Sequence, residues 1–125
     1  MRFCVGIPYL NKNLSDFLEN YHNNKIKITE HCIIRKSRIV PRLHLGCCDN
    51  PYYRILITCR HHCCEMMASY ILEGMMEKFL CGDKLSKWFC KNTEMVVIPF
   101  MDMDGVEDGD QGKNRSPGDH RLFRR

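Results

Sequence analysis

An apolar, β-branched run, Tyr52 to Cys59 (YYRILITC), passes without a turn signal into Arg60-His61-His62-Cys63-Cys64-Glu65, and from Glu65 to Leu80 apolar residues recur at helical spacing. A strand that feeds directly into a helix leaves few architectures open, because each element must bury a face against another. Gly82-Asp83 ends the helical pattern, and Glu94 to Phe100 (EMVVIPF) supplies a second strand-like run. Strand, helix, strand in that order predicts a parallel pair in an α/β layer fold. Both runs are short and apolar, so both are predicted to be buried strands. Ligands in such folds collect at the carboxyl ends of the strands, where Arg60 to Glu65 falls.

The remaining segments complete a mixed sheet flanked by helices. Leu14, Phe17, Leu18 and Tyr21 share one face of a helix predicted over 13–22, with Asn13 or Ser15 as its cap. Lys25 to Ile34 and Ile39 to Leu45 alternate around a polar turn at 35–38 and predict a hairpin. Pro41 predicts that its strand lies at an edge or carries a bulge. Lys84 to Lys91 has no decisive pattern. Beyond Met101 the chain is acidic and glycine-rich, so it is expected to add little core and to form a solvated loop. The methionines at 66, 67, 75 and 76 are expected inside the helix packing. The organisation that follows is a helical lead-in over 1–24, an α/β domain over 25–120 and an unstructured basic tail over 121–125.

Composition narrows the function classes. A chain of 125 residues carries one domain, and 44% hydrophobic with 27% charged residues is an ordinary globular balance. The net charge of +4 owes much to Arg121, Arg124 and Arg125, which is no nucleic-acid footprint. No apolar run approaches the roughly 18 residues that span a bilayer, so no membrane partner is expected. Pro8 and Asn11-Lys12-Asn13 interrupt the opening segment without a cleavage pattern, so a cytoplasmic location is expected. Nine cysteines in an odd set, with no C-x-x-C spacing, fit buried or free thiols in a reducing compartment better than disulfides.

The chemistry-bearing spacing is His62-x-x-Glu65. Residues three apart around one helical turn can converge, offering an imidazole nitrogen and a carboxylate to one Zn²⁺. Alone the spacing is weak, since a glutamate at a helix start is also favoured by the helix dipole. Its context is the stretch Val97-Ile98-Pro99-Phe100-Met101-Asp102-Met103-Asp104-Gly105, followed by Lys113-Asn114-Arg115-Ser116-Pro117-Gly118-Asp119-His120. A strand ending R-H-H-x-x-E, then I-P-x-x-x-x-D-G-V, then K-x-R-S resembles the M14 zinc metallocarboxypeptidases, particularly the group related to cytosolic carboxypeptidases. The resemblance implies a zinc carboxypeptidase-like α/β fold and hydrolysis of C-terminal peptide bonds, with a peptide or protein C-terminus as substrate. It assigns His62 and Glu65 as two zinc ligands and Arg115 as the residue that polarises the scissile carbonyl. Asp102 to Gly105 takes the place of the family's N-P-D-G turn, with Asp for Asn and Met for Pro.

The departures bear on activity. The family's Asn-Arg pair for the substrate carboxylate has only Arg121 as a weak counterpart in this sequence. The third zinc ligand and the catalytic glutamate of the family have no counterpart at family spacing. The chain is therefore expected to be the front part of such a domain, truncated and inactive as a peptidase alone, with self-association through an exposed sheet edge. Two other readings stay open. One is a non-catalytic binding or regulatory remnant of the fold, and the other a small Cys/His metal protein using His61, Cys63 and Cys64.

Overall fold

A computed structural model describes residues 6–21, 26–34, 36–47 and 49–110. Arg115, Arg121 and the basic tail expected over 121–125 lie outside the described residues. Eight elements follow in order: α1 (Asn11–Glu19), β1 (Ile26–Ile33), β2 (Ile39–Gly46), β3 (Tyr53–Thr58), α2 (Met66–Leu80), α3 (Lys84–Asn92), β4 (Thr93–Ile98) and α4 (Met103–Asp108). The strands form one mixed sheet in the order β1-β2-β4-β3. β1 and β2 are the expected antiparallel hairpin, β2 pairs antiparallel with β4, and β3 runs parallel to β4.

Registers explain which side chains share a face. Ile26 lies opposite Leu45, Leu45 opposite Met95, and Met95 beside Ile55, so four apolar residues line up across the sheet. Leu43, Leu45, Met95 and Val97 pack in one core with Leu72, Met76, Phe79 and Leu80 of α2 and Phe17 of α1. α1 thus shares the core of the sheet it precedes. Its cap differs from expectation: the helix starts at Asn11 after Leu10, and Asn13 reaches back, its Oδ1 accepting the Leu10 N–H at 2.9 Å. α3 is fixed by a local signal, the Asp83 side chain accepting the Ser86 N–H at 2.7 Å.

Pro41 belongs to an interior strand rather than an edge. The pairing of β2 with β4 spans only Leu43 to Gly46, so the missing N–H of Pro41 disturbs no bond to β4. The irregularity appears on the partner instead, as a bulge between Glu30 and Cys32 opposite Pro41 and Val40.

Two burial expectations are corrected. β3 is no buried strand: five of its six residues are exposed, Leu56 at 66%, because β3 is the sheet edge and only β4 pairs with it among the described residues. Beside it, Ile55, Ile57, Ile71, Met75, Leu85 and Phe89 line an open apolar groove of about 520 Å³. Met75 faces this groove and Met67 is exposed as well, whereas Met76 is fully buried. α2 is apolar on more sides than the sheet covers.

The second correction concerns the acidic stretch after Met101, which is a helix and not a solvated loop. Asp102 caps α4, its Oδ1 accepting the Gly105 N–H at 3.0 Å. Met103 and Val106 enter a second core with Tyr9, Leu14, Val40, Ile98 and Phe100. Asp104 is buried, and Arg38 from the hairpin turn donates to it at 2.7 Å and to Asp108 at 3.2 Å, while Lys36 donates to Asp108 at 2.6 Å. These ion pairs tie α4 to the hairpin.

Lys36 and then Arg38 hold the Asp108 carboxyl below the ordinary carboxylate range. The unfolded chain therefore protonates first as acid is added. The stabilisation is present above the unfolded aspartate value and is lost as the pH falls through the depressed folded-state value. Protection of the α4 amides, relative to their intrinsic exchange rates, should fall as the pH drops below about 4, and Asp108→Asn should flatten that dependence. Equal acid sensitivity in both proteins would show that another group controls the helix.

Candidate metal centre at the end of β3

The site is assembled where the chain leaves the parallel pair. The segments following β3 and β4 run side by side: Cys59 N–H donates to the Ile98 carbonyl at 3.0 Å, Met101 N–H to the Cys59 carbonyl at 2.9 Å and Asp102 N–H to the Arg60 carbonyl at 3.1 Å. The start of α4, with its cap Asp102, therefore lies against the Arg60 to Glu65 loop, some forty positions away in sequence. This is the carboxyl end of adjacent parallel strands, the usual ligand position of an open α/β sheet.

His62 and Glu65 come together. His62 lies in the turn before α2, and Glu65 is its N-cap, so the pair occupies the approach to the helix rather than its first turn. The His62 Nδ1 is 3.1 Å from Glu65 Oε1, and the His62 backbone N–H donates to Glu65 Oε2, also at 3.1 Å. The imidazole is mostly buried and the carboxylate half-exposed. Burial pushes the Glu65 carboxyl upward, but the hydrogen bonds from the His62 side chain and backbone outweigh it, leaving the group below its ordinary value.

The donor set matches a zinc site in part. Two ligands of a tetrahedral zinc, each about 2.0 to 2.2 Å from the metal, lie roughly 3.4 Å apart, close to the separation of the imidazole nitrogen and the carboxylate oxygen. No group of three His, Cys, Asp or Glu side chains able to hold a metal exists among the described residues. Cys63 and Cys64 do not complete one. Burial raises the Cys63 thiol, and Cys64 raises it further.

Arg60 is the site residue that sequence reasoning left without a role. It is 2% exposed and adopts φ 56°, the left-handed region that side-chain-bearing residues avoid. Its Nη1 donates to the Tyr9 carbonyl at 3.0 Å and to Ser69 Oγ at 3.1 Å, and its Nη2 donates to the Cys63 carbonyl at 2.8 Å. The guanidinium carbon also lies 5.8 Å from the centre of the Phe100 ring. The available signal was a charged residue between an apolar strand and the motif, at a point where the chain must turn.

The mixed sheet, with its parallel edge pair and the helices flanking it, defines a portion of the carboxypeptidase α/β fold. Solved structures bear this out. A carboxypeptidase A-like protein from Shewanella denitrificans OS-217 superposes with a TM-score of 0.79 at 23% identity, over 90% of this chain and 30% of that one. A metallo-carboxypeptidase from Burkholderia cenocepacia gives 0.74 at 22% identity, over 83% and 30%. One from Pseudomonas aeruginosa, in complex with (2-guanidinoethylmercapto)succinic acid, gives 0.72 at 17% identity, over 90% and 30%. No family model and no curated protein matches the sequence. The fold is that of the metallo-carboxypeptidases, and the chain spans about 30% of the length of these structures.

Proposed function

We propose that this chain is a portion of a zinc-dependent metallocarboxypeptidase, a hydrolase of C-terminal peptide bonds, in which His62 and Glu65 are two of the metal ligands. The observation that carries the reading is the convergence of His62 Nδ1 and Glu65 Oε1 at 3.1 Å, at the strand end where this fold places a ligand. Zinc bound there would supply Lewis-acid polarisation of a carbonyl and of water. His62 and Glu65 would hold it, and the hydrogen bond from the His62 backbone N–H orients the carboxylate. Arg115 would place a fixed positive charge beside the oxygen that becomes negative, and Arg121 is the weak candidate for gripping the substrate's terminal carboxylate. The peptide or protein C-terminus is the proposed substrate.

Zinc titration of the full chain tests the assignment. His62→Ala should weaken binding by about 100-fold, at the upper end of what losing even an orienting neighbour of a ligand costs. Equal affinity in the two proteins would sink it.

A second reading is a non-catalytic binding or regulatory form of the fold, with negligible peptidase activity of the chain by itself. A cytoplasmic setting is proposed as well, on the odd set of nine cysteines without a C-x-x-C spacing. No helix among the described residues is long and apolar enough to cross a membrane.

Self-association is also proposed, through the outer edge of β3 and the apolar groove beside it. β3 keeps a regular register, and its one charged residue, Arg54, is paired with Glu94 of β4 at 3.2 Å, so its outer edge is a template for another strand. Sedimentation of the full chain should reveal dimers or larger species, and Leu56→Lys should shift the distribution toward monomer. A cooperatively melting wild-type monomer at every concentration would refute this.

A further inference from the structure

We infer that Arg60 is a positioning residue for the His62 and Glu65 pair, coupling the metal loop to the segment ahead of α1. The inference rests on the metal reading above and extends it to a residue and a segment outside the ligand set. Arg60 precedes the pair, yet its side chain does not point to it. The guanidinium turns inward and binds three separate parts of the chain: the Cys63 carbonyl inside the loop, Ser69 Oγ in the first turns of α2, and the Tyr9 carbonyl on the lead-in.

Each contact restrains the pair from a different side. The bond to Cys63 closes the loop between the two ligands, because Cys63 lies between His62 and Glu65. The bond to Ser69 fixes that loop to the helix whose cap is Glu65. The bond to Tyr9 anchors both to a residue that is itself buried, with its hydroxyl donating to Glu73 Oε1 of α2 at 2.5 Å and its ring edge-on to Tyr70 at 5.1 Å. Phe100 closes the remaining side. Only a planar fork carrying several donors reaches all three acceptors at once, so lysine is no equivalent. The left-handed backbone at Arg60 fits the same account: a conformation that favours glycine is kept where the side chain is needed.

The test uses two readouts on the full chain, zinc affinity and hydrogen exchange of the His62 amide, which donates to Glu65 and reports the pair without metal. Arg60→Gln should lower zinc affinity about tenfold and speed His62 exchange by a similar factor, in the range expected for a residue that orients a ligand. Amides of β4 should keep their protection. Arg60→Lys should recover only part of either effect. Ser69→Ala, which keeps the charge and removes one acceptor, should shift both readouts in the same direction by a smaller factor, and it decides the matter if Arg60→Gln does not fold. Unchanged His62 exchange in Arg60→Gln and Ser69→Ala would overturn the proposal, as would equal loss of protection in β4. Equal zinc affinity of wild type and His62→Ala would remove the metal reading alone, and His62 exchange would still decide the role of Arg60.

Discussion

Gly46→Ala is expected to destabilise the chain by about 3 kcal/mol, combining the cost of a left-handed alanine with overpacking against backbone. Gly46 ends β2 at φ 83°, and a Cβ there would lie 2.3 Å from the Thr93 carbonyl oxygen and 3.1 Å from Phe79 Cζ. Neither neighbour can yield cheaply. The Thr93 carbonyl accepts the Cys47 N–H at 3.0 Å at the start of β4, and Phe79 belongs to the main core. Gly74 is the control, since a Cβ at that position in α2 meets nothing within 4 Å. Gly74→Ala should stabilise by about 0.5 to 1 kcal/mol through the entropy of the unfolded chain. Denaturant midpoints should move in opposite directions. A Gly46→Ala midpoint equal to wild type would show that β2 and β4 do not need this close approach.

Phe100→Ala should cost about 3 to 5 kcal/mol, the range for removing a fully buried aromatic ring. Phe100 has no exposed surface and joins Tyr9, Leu14, Ile98, Met103 and Val106 in the second core. Its ring centre lies 6.1 Å from that of Tyr9 and 5.8 Å from the Arg60 guanidinium, so the lost volume opens between α4 and the loop from Arg60 to Glu65. Phe100→Leu should cost less, because leucine refills part of the cavity. The distinguishing result is local: the His62 amide should lose protection before amides of β1. A uniform loss across the sheet would mean that the ring supports the fold without supporting the site.

Much of the architecture was legible because it is written in local pattern. The hairpin, the helix after Glu65, the parallel placement of the last strand and the meeting of His62 with Glu65 all follow from spacing and turn chemistry. What escaped was decided by neighbours. YYRILITC has the composition of a buried strand, but burial depends on what lies beyond it, and β3 is an edge. Asp102 to Asp108 has two large apolar residues, Met103 and Val106, and becomes a packed helix because Asp102 caps it and the hairpin turn supplies Arg38 and Lys36. α3 has no decisive apolar pattern between Lys84 and Lys91, because its deciding signal is the Asp83 cap one residue earlier. At the candidate site the pair was readable and its support was not: Tyr9 lies 51 positions from the arginine that binds it.

The strand order carries one more consequence, for the order in which the chain can be made. β2 and β3 are consecutive in sequence but not neighbours in the sheet, since β4 lies between them. A ribosome that has delivered residues through Asn92 has therefore released a hairpin and a lone strand with no ladder joining them. The sheet is knitted only when Thr93 to Ile98 arrives and bonds on both sides at once. Until then the His62 and Glu65 pair is attached to a strand without a frame.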